Sequence, residues 1–455
     1  MNKGLKEFAS LVSSSLWPEK SSFNNYLHDE TLLTGQASLV LFPQSHEEVK
    51  AIVNLATSLA KQNGGICPNE YKLTVRGLGS GLAGSAVPQG GIVISMEKMN
   101  KLIFVDEVNY RIRAQAGRLT SDIINDAKSK NLRYVVDPSS ADVSCIGGNI
   151  ATNASGPRSF RYGPTGQYVK KLRVVWANGQ EDEIGYTTEK YSLGIHSLPI
   201  WIGSEGKLGI ITECELKLLP PLGPYEEVTV VMGFSSEQEA LQAVLNIRQY
   251  PEIIAIEFLD SEAFAISKEK WPKELGKSSA LLFCIFEVHP ENSMFWEKLS
   301  ADWDQKCTIT VARDSRSASN LYKARKSITE TLKQKYAYKI GEDICVPLVQ
   351  MNEFCKRARE LATKHHFSIV IWGHAGQGNL HTNLLFQEKE KIQDSFLLID
   401  ELGKLALKLG GVISGEHGIG KIKANLKPLQ ISTTEREFEK HVLQFADPFQ
   451  IINRY

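Results

Sequence analysis

Long apolar runs are missing from this 455-residue chain. Nothing in it approaches the roughly 18 consecutive apolar residues of a bilayer span, so no transmembrane helix is expected. Cysteine is sparse and scattered: seven residues, at 67, 145, 214, 284, 307, 345 and 355, with no CxxC pair. That pattern speaks against iron–sulfur and structural zinc sites and fits free thiols in a reducing compartment. Charge of one sign is absent too. Lys plus Arg and Asp plus Glu number 52 each, for a formal net charge of +0. No basic field draws the chain to nucleic acid or anionic lipid. The opening 20 residues hold no continuous apolar core followed by a small-residue cleavage site, which disfavours a secretory signal. The local HExxH pattern of helical zinc proteases is missing, as are internal repeats and low-complexity tracts. A cytoplasmic chain of two or three domains is the expectation.

What is present reads as alternating short strands and helices. Ser45 and Glu48 form a capping-box pattern, followed by the helical apolar stripe Val49, Ile52, Val53 and Ala56. Strands are expected at 72–76, 92–95, 102–106 and 110–115, and Thr120 or Ser121 is expected to cap a helix starting at Asp122. Residues 137–163, rich in Ser, Gly and Asn, read as loop. The Leu-Leu-Pro-Pro-Leu-Gly-Pro stretch at 218–224 is a domain boundary by its composition. Beyond it, strands at 227–232, 253–258 and 280–288 alternate with helices at 236–247 and 291–303, an α+β pattern.

Gly79-Ser80-Gly81-Leu82-Ala83-Gly84 satisfies GxGxxG after a strand. A nicotinamide-binding Rossmann unit does not follow, because that motif requires its third glycine to open a helix. Here Pro88, Gly90 and Gly91 interrupt any helix, and the next element is the strand at 92–95. The segment Arg76-Gly77-Leu78-Gly79-Ser80-Gly81-Leu82-Ala83-Gly84-Ser85 still bares backbone N–H groups and small hydroxyls suited to phosphate. Two further small-residue segments accompany it. One runs from Asp137-Pro138-Ser139-Ser140 through Gly147-Gly148-Asn149-Ile150-Ala151-Thr152-Asn153-Ala154-Ser155-Gly156 to Tyr162-Gly163. The other is Gly203-Ser204-Glu205-Gly206-Lys207-Leu208-Gly209-Ile210-Ile211-Thr212. Three such surfaces suit a long ligand with two phosphates, a sugar and flat rings.

In this order and spacing the three segments resemble the FAD-binding domain of the p-cresol methylhydroxylase/vanillyl-alcohol oxidase type. More narrowly, the chain is similar to the D-lactate, glycolate and D-2-hydroxyglutarate dehydrogenase branch, from Leu41-Phe42-Pro43 to Ala446-Asp447-Pro448. The resemblance implies an α+β fold. Residues 1–223 would form N-terminal helices and the FAD-binding domain, and 224–440 an α+β substrate- and metal-binding domain with an antiparallel sheet. Residues 441–455 would pack back on the FAD domain. It implies FAD contacts from Arg76, Gly77, Gly79, Ser80, Gly81, Gly84 and Ser85. The middle segment would add Pro138, Ser139, Gly147, Gly148, Asn149, Thr152, Asn153, Gly156 and Tyr162, and the third Glu205, Gly206, Ile210 and Ile211. Leu78, Ser80, Ser85 and Ser155 depart from the commoner Gly, Thr, Gly and Gly of the family. No histidine lies between Arg76 and Pro88, where covalently flavinylated relatives often carry one, so the FAD is expected to be noncovalent.

The last third carries Gly373-His374-Ala375-Gly376-Gln377-Gly378-Asn379-Leu380-His381, with strands expected on either side of a glycine turn. Such a hairpin can bring His374 and His381 to one end. Ser414-Gly415-Glu416-His417-Gly418 follows; in extended geometry its adjacent Glu416 and His417 would point in opposite directions. Glu416 can then join both histidines while His417 faces another target. Two histidines, one glutamate and an open position match a catalytic divalent-metal site. The resemblance implies the same ligands, His374, His381 and Glu416, with zinc first and iron or manganese as alternatives, and His417 as general base. Gln377 stands where the family usually has aspartate.

Oxidising a secondary alcohol requires removing the hydroxyl proton and transferring a hydride from the same carbon. Metal-bound hydroxyl and carboxylate oxygens would favour the alkoxide, His417 can take the proton near neutral pH, and flavin N5 would receive the hydride. Arg325 falls where relatives grip the substrate carboxylate; the plain alternative is a solvated basic helix face. Glu342-Asp343 resembles the lactate-type version, so D-lactate or glycolate is preferred over D-2-hydroxyglutarate. A same-fold oxidase, a flavin subunit without its own catalysis and a flavin-free metallohydrolase are the rivals. The partners expected are a small 2-hydroxy acid and a separate electron acceptor: a quinone, a cytochrome, an electron-transfer flavoprotein or an iron–sulfur subunit. Any membrane association would be peripheral, through that acceptor, and a homodimer stays open.

Overall fold

The computed structural model describes residues 2–312 and 314–454. By its internal contacts the chain divides into two units. The first holds Met1–Ser155, Gly163–Pro221 and Glu416–Tyr455; the second holds Gly156–Tyr162 and Leu222–Gly415. The expected boundaries stood at 223/224 and 440/441; the units divide at 221/222 and 415/416, and the second also takes in the short excursion 156–162. Helices interleave with sheets that pair mainly antiparallel, which is the α+β class. No helix among the described residues is long and apolar enough to cross a membrane.

In the first unit the helix His46–Gln62 buries Val49, Ile52, Val53 and Ala56, the stripe visible in the sequence. Ser45 Oγ accepts from Glu48 N at 3.2 Å, but Glu48 reaches back to Gln44 N at 2.9 Å, so the capping box closes one residue early. Three neighbouring strands of a four-stranded sheet, Leu39–Leu41, Ile92–Ser95 and Leu73–Arg76, run parallel. A five-stranded antiparallel sheet follows, in the order Leu102–Asp106, Arg111–Gln115, Gly209–Lys217, Val169–Trp176, Glu181–Gly185. One of its faces carries a charge ladder. Arg113 bonds Glu213 at 2.7 Å and Glu183 at 2.7 Å, and Arg173 meets Glu213 at 3.2 Å.

Two local expectations fail here. The helix Thr120–Ser129 has no side-chain cap. The Thr120 hydroxyl is fully buried and contacts Ser144 Oγ at 3.0 Å while accepting from Asn149 Nδ2 at 2.7 Å, so tertiary partners outcompete the local bond. The stretch 137–163 is not all loop: Ile146–Thr152 is helical despite two glycines. Packing explains it. A Cβ on Gly147 would lie 2.6 Å from the Ala116 Cβ and 2.9 Å from the Ala116 carbonyl, so only glycine lets this helix touch its neighbour.

The second unit is built on a seven-stranded sheet with every pairing antiparallel. Its order is Thr308–Ala312, Glu226–Phe234, Ala280–Val288, Ile253–Leu259, Ser368–Gly373, Asn379–Phe386, Tyr338–Cys345. The helix Ser315–Lys335 lays Leu321, Ala324, Ile328 and Leu332 into one core with Phe283 and Ile285 of that sheet. Each such large aliphatic side chain contributes roughly 1.5–3 kcal/mol by leaving water. The excursion 156–162 belongs here by contact: Arg158 pairs with Glu227 at 2.5 Å and the Tyr162 hydroxyl donates to Glu287.

Candidate active site

Strand register assembles the histidines. Ser368–Gly373 and Asn379–Phe386 form the expected hairpin, turned by the segment Ala375–Gln377 and by Gly378 at φ +74°. Phe258 pairs with Gly373, so one step further Glu257 faces His374. His374 Nδ1 meets Glu257 Oε1 at 2.6 Å, and the two imidazoles lie edge to face with centroids 5.1 Å apart. His381 is in register with Asp343 on its other side, with Nδ1 3.9 Å from Asp343 Oδ1. Asp343 is fully buried and also accepts from Asn379 Nδ2 at 2.6 Å, Ser414 Oγ at 3.0 Å and Gly415 N at 2.8 Å. One carboxylate thus ties the hairpin turn to the segment that leads into Glu416.

Arg325 is no solvated helix face. It sits on the buried stripe four residues after Leu321, its side chain is 12% exposed, and its guanidinium donates to Glu257. Burial pushes the Glu257 carboxyl up, but Arg325 and then His374 more than reverse this and hold it at about 2. Glu257 is therefore an anion between a guanidinium and an imidazole, and it fixes His374 with Nδ1 turned inward. A carboxylate on one ring nitrogen is the arrangement in which metal-binding histidines are commonly held. The donor chemistry at His374 and His381 fits a divalent cation.

Glu416 and His417 lie in the first unit. The segment is bent rather than extended, and the two side chains do not diverge: His417 Nε2 is 3.9 Å from Glu416 Oε1. The opposite-facing geometry expected from a strand-like segment is corrected accordingly. Glu416 Oε2 accepts from Ser155 Oγ at 2.5 Å. Ser155, where the family commonly has glycine, is thus used by this chain to hold the carboxylate.

Most of the expected flavin residues fall in the first unit; Gly156 and Tyr162 lie in the second, on the 156–162 excursion. The first loop leaves its backbone bare. Gly79 has φ +78°, open to glycine at little cost, and a Cβ on Gly81 would meet nothing nearer than Asp29 at 3.8 Å. Gly77 and Gly148 both sit over Cys145, whose Sγ would be 2.7 and 3.4 Å from added Cβ atoms. Arg76 packs against Gly79, where an added Cβ would lie 2.0 Å from its guanidinium, and donates to the carbonyls of His28 at 3.0 Å and Asn25 at 3.1 Å. Asn149 is engaged with Thr120, Thr152 bonds Gly148 O at 3.1 Å, and Asn153 caps its helix in the left-handed region while accepting from Gly166 N at 2.9 Å. Pro138 is buried and Ser139 exposed. Ile210 and Ile211 are buried in the strand Gly209–Lys217.

Glu205 joins the loops. It adopts φ +53°, a conformation L-residues avoid at roughly 1–2 kcal/mol. Its Oε1 accepts from Ser85 Oγ at 3.0 Å, Ile419 N at 2.9 Å and Gly420 N at 2.8 Å, and Oε2 from Lys207 at 3.0 Å. Beside it the buried Ser204 hydroxyl has no hydrogen-bond partner among the described residues. An orphaned hydroxyl, bare glycine backbone and a braced loop fit a long polar cofactor such as FAD.

Sequence reasoning missed Glu257 altogether, and Asp343 as an organiser. The signal for Glu257 was available: a lone charge in Ile253-Ile254-Ala255-Ile256-Glu257-Phe258-Leu259 on a wholly buried strand demands a partner.

The fold and the loops define an FAD-dependent oxidoreductase, and comparison with known proteins places it. Residues 37–185 match the FAD binding domain family and residues 224–455 the C-terminal domain family of FAD linked oxidases. The chain is 33% identical over 444 residues to a D-lactate dehydrogenase of Archaeoglobus fulgidus, covering 94% of each chain. It is 31% identical to the glycolate oxidase subunit GlcD of Bacillus subtilis, over 91% of this chain and 87% of that one. In fold it is similar to substrate-bound p-cresol methylhydroxylase, with TM-score 0.79 at 15% identity, over 100% of this chain and 98% of the other. The chain belongs to the FAD-linked oxidase family, in its 2-hydroxy-acid dehydrogenase branch.

Proposed function

We propose that the protein oxidises a small D-2-hydroxy acid to the 2-oxo acid, with D-lactate or glycolate preferred, and delivers the electrons to a separate acceptor. The relatives named for D-lactate and glycolate support the substrate class. The observation that carries the reading is the buried Arg325–Glu257–His374 chain beside His381. It presents two imidazoles at one end of a hairpin, next to a guanidinium. His374, His381 and Glu416 are the proposed ligands of a divalent metal, zinc first. Bound metal would favour the substrate alkoxide, and noncovalently bound FAD would supply the hydride acceptor. The Arg325 guanidinium is the proposed partner of the substrate carboxylate. His417 is the proposed base, receiving the hydroxyl proton. In this reading the first unit holds FAD through its three loops, and the second supplies the histidines and Arg325.

The test is anaerobic reduction of the bound flavin by paired D- and L-2-hydroxy acids, with D-2-hydroxyglutarate in the panel. Bleaching by D-lactate or by glycolate is the expected result. Bleaching by L-acids alone, or by none, overturns the assignment.

A further inference from the structure

The helix Thr433–Ala446 buries only Ala446 of its 14 residues. Together with the chain's tail and Lys207 it walls a cavity of about 550 Å³, within the range of small-molecule sites. Five cations line this cavity, Lys207, Lys427, Arg436, Lys440 and Arg454, against two carboxylates, Glu439 and Asp447. The cations come from separate segments of the chain, so their convergence is made by the tertiary fold and is not the solvated face of one helix. Three are held in place by carboxylates: Lys207 by Glu205 at 3.0 Å, Lys427 by Glu439 at 2.5 Å, and Arg454 by Asp447 at 3.0 Å. Arg436 donates to the Thr433 hydroxyl at 3.0 Å, and among the described residues no ion pair ties it or Lys440 to a carboxylate. Positive charge is therefore in surplus, and two of its carriers lack an anion. The rest of the wall is made by the apolar Ile419, Ala424, Leu443 and Pro448 and by the amides Gln444 and Gln450.

We propose that this cavity binds a small organic phosphate of nucleotide size. Its dianionic head would lie toward Arg436 and Lys440, and its ring against Leu443 and Pro448. Guanidinium and ammonium groups are the usual partners of phosphate oxygens, and a concave site with an apolar wall favours a ring over a bare ion. Of the residues assigned to the three flavin segments, only Lys207 reaches this wall, so the site is separate from the glycine loops. Lys207 shares Glu205, which also holds Ser85, Ile419 and Gly420. A phosphate drawing on Lys207 would loosen that brace, and its binding would be coupled to retention of FAD.

Calorimetric titration of the FAD-saturated full-length protein with AMP, adenosine and inorganic phosphate, in a phosphate-free buffer, tests this. The expected result is one saturable AMP site, no heat from adenosine, and weaker binding of phosphate than of AMP. Binding of AMP should weaken by about tenfold or more in Arg436→Ala/Lys440→Ala, and should fall as salt rises. Should that double variant shed its flavin, Lys440→Gln together with the salt series gives the same reading. No saturable AMP binding up to about 10 mM, affinity unchanged in both variants, or AMP binding confined to the flavin-free protein would each overturn the proposal.

Discussion

The two units build their candidate surfaces by opposite means. In the first, the candidate surface is backbone: glycines at 77, 79, 81 and 148 withhold side chains, and Glu205 braces the loops. In the second, the candidate surface is made of side chains, in which strand register sets His374 against Glu257 and His381 against Asp343. The comparison teaches where each can fail. A backbone cradle is spoiled by adding atoms, whereas a side-chain constellation is spoiled by removing one charge from a buried set.

Four measurements break or sharpen that contrast. His417→Ala should slow flavin reduction by substrate about 10²–10⁴-fold while FAD stays bound, the scale of a lost general base. Wild-type rates in this variant, followed by stopped-flow bleaching, would remove His417 from that role. Glu257→Ala leaves Arg325 buried beside His374 without its anion, and should cost about 3–5 kcal/mol in denaturant unfolding. A loss below about 1 kcal/mol would show that the pair is not organising the second unit. Gly147→Ala pushes a methyl to 2.6 Å from Ala116, and should cost about 1–3 kcal/mol and lower the flavin content of purified protein. Retention of full flavin and stability would mean that the backbone cradle tolerates added atoms.

The smallest effect is electrostatic. Hydrogen bonds from Lys171 and Arg113 hold the Glu183 carboxyl at about 2 in the folded protein, below its ordinary 4.5. A lowered acid contributes stability that is full above about pH 4.5 and is lost as pH falls through about 2. Glu183 is 42% exposed, so the contribution is at most about 1 kcal/mol after screening. Glu183→Gln should therefore flatten the acid limb of the stability curve only slightly, and leave the unfolding free energy at pH 7 within about 1 kcal/mol of wild type in denaturant titrations.

Legibility in the sequence followed the same divide. Glycine and small hydroxyl residues cluster visibly in the sequence, so all three segments stood out, although the middle one holds the helix Ile146–Thr152. The hairpin between His374 and His381 was equally plain from its glycine turn. Side-chain partners were not. Glu257 lies 117 residues from His374, and nothing local names its partner. Local rules also lost to tertiary demand at Thr120, whose hydroxyl serves Asn149 instead of its own helix, and at 146–152, where Gly147 sits inside a helix because Ala116 is too close for a Cβ. The paired approach of Glu416 and His417 was missed because alternation holds for strands, and this segment bends.

Cys145 lies beneath both Gly77 and Gly148, is 2% exposed, and burial raises its thiol above the ordinary range. The sulfur is thus shielded by the very backbone that is proposed to receive the cofactor. Chemically it is a silent sentinel. While the loops stay shut it is neither a nucleophile nor a target for oxidants, and any labelling of it clocks how often the cradle comes open.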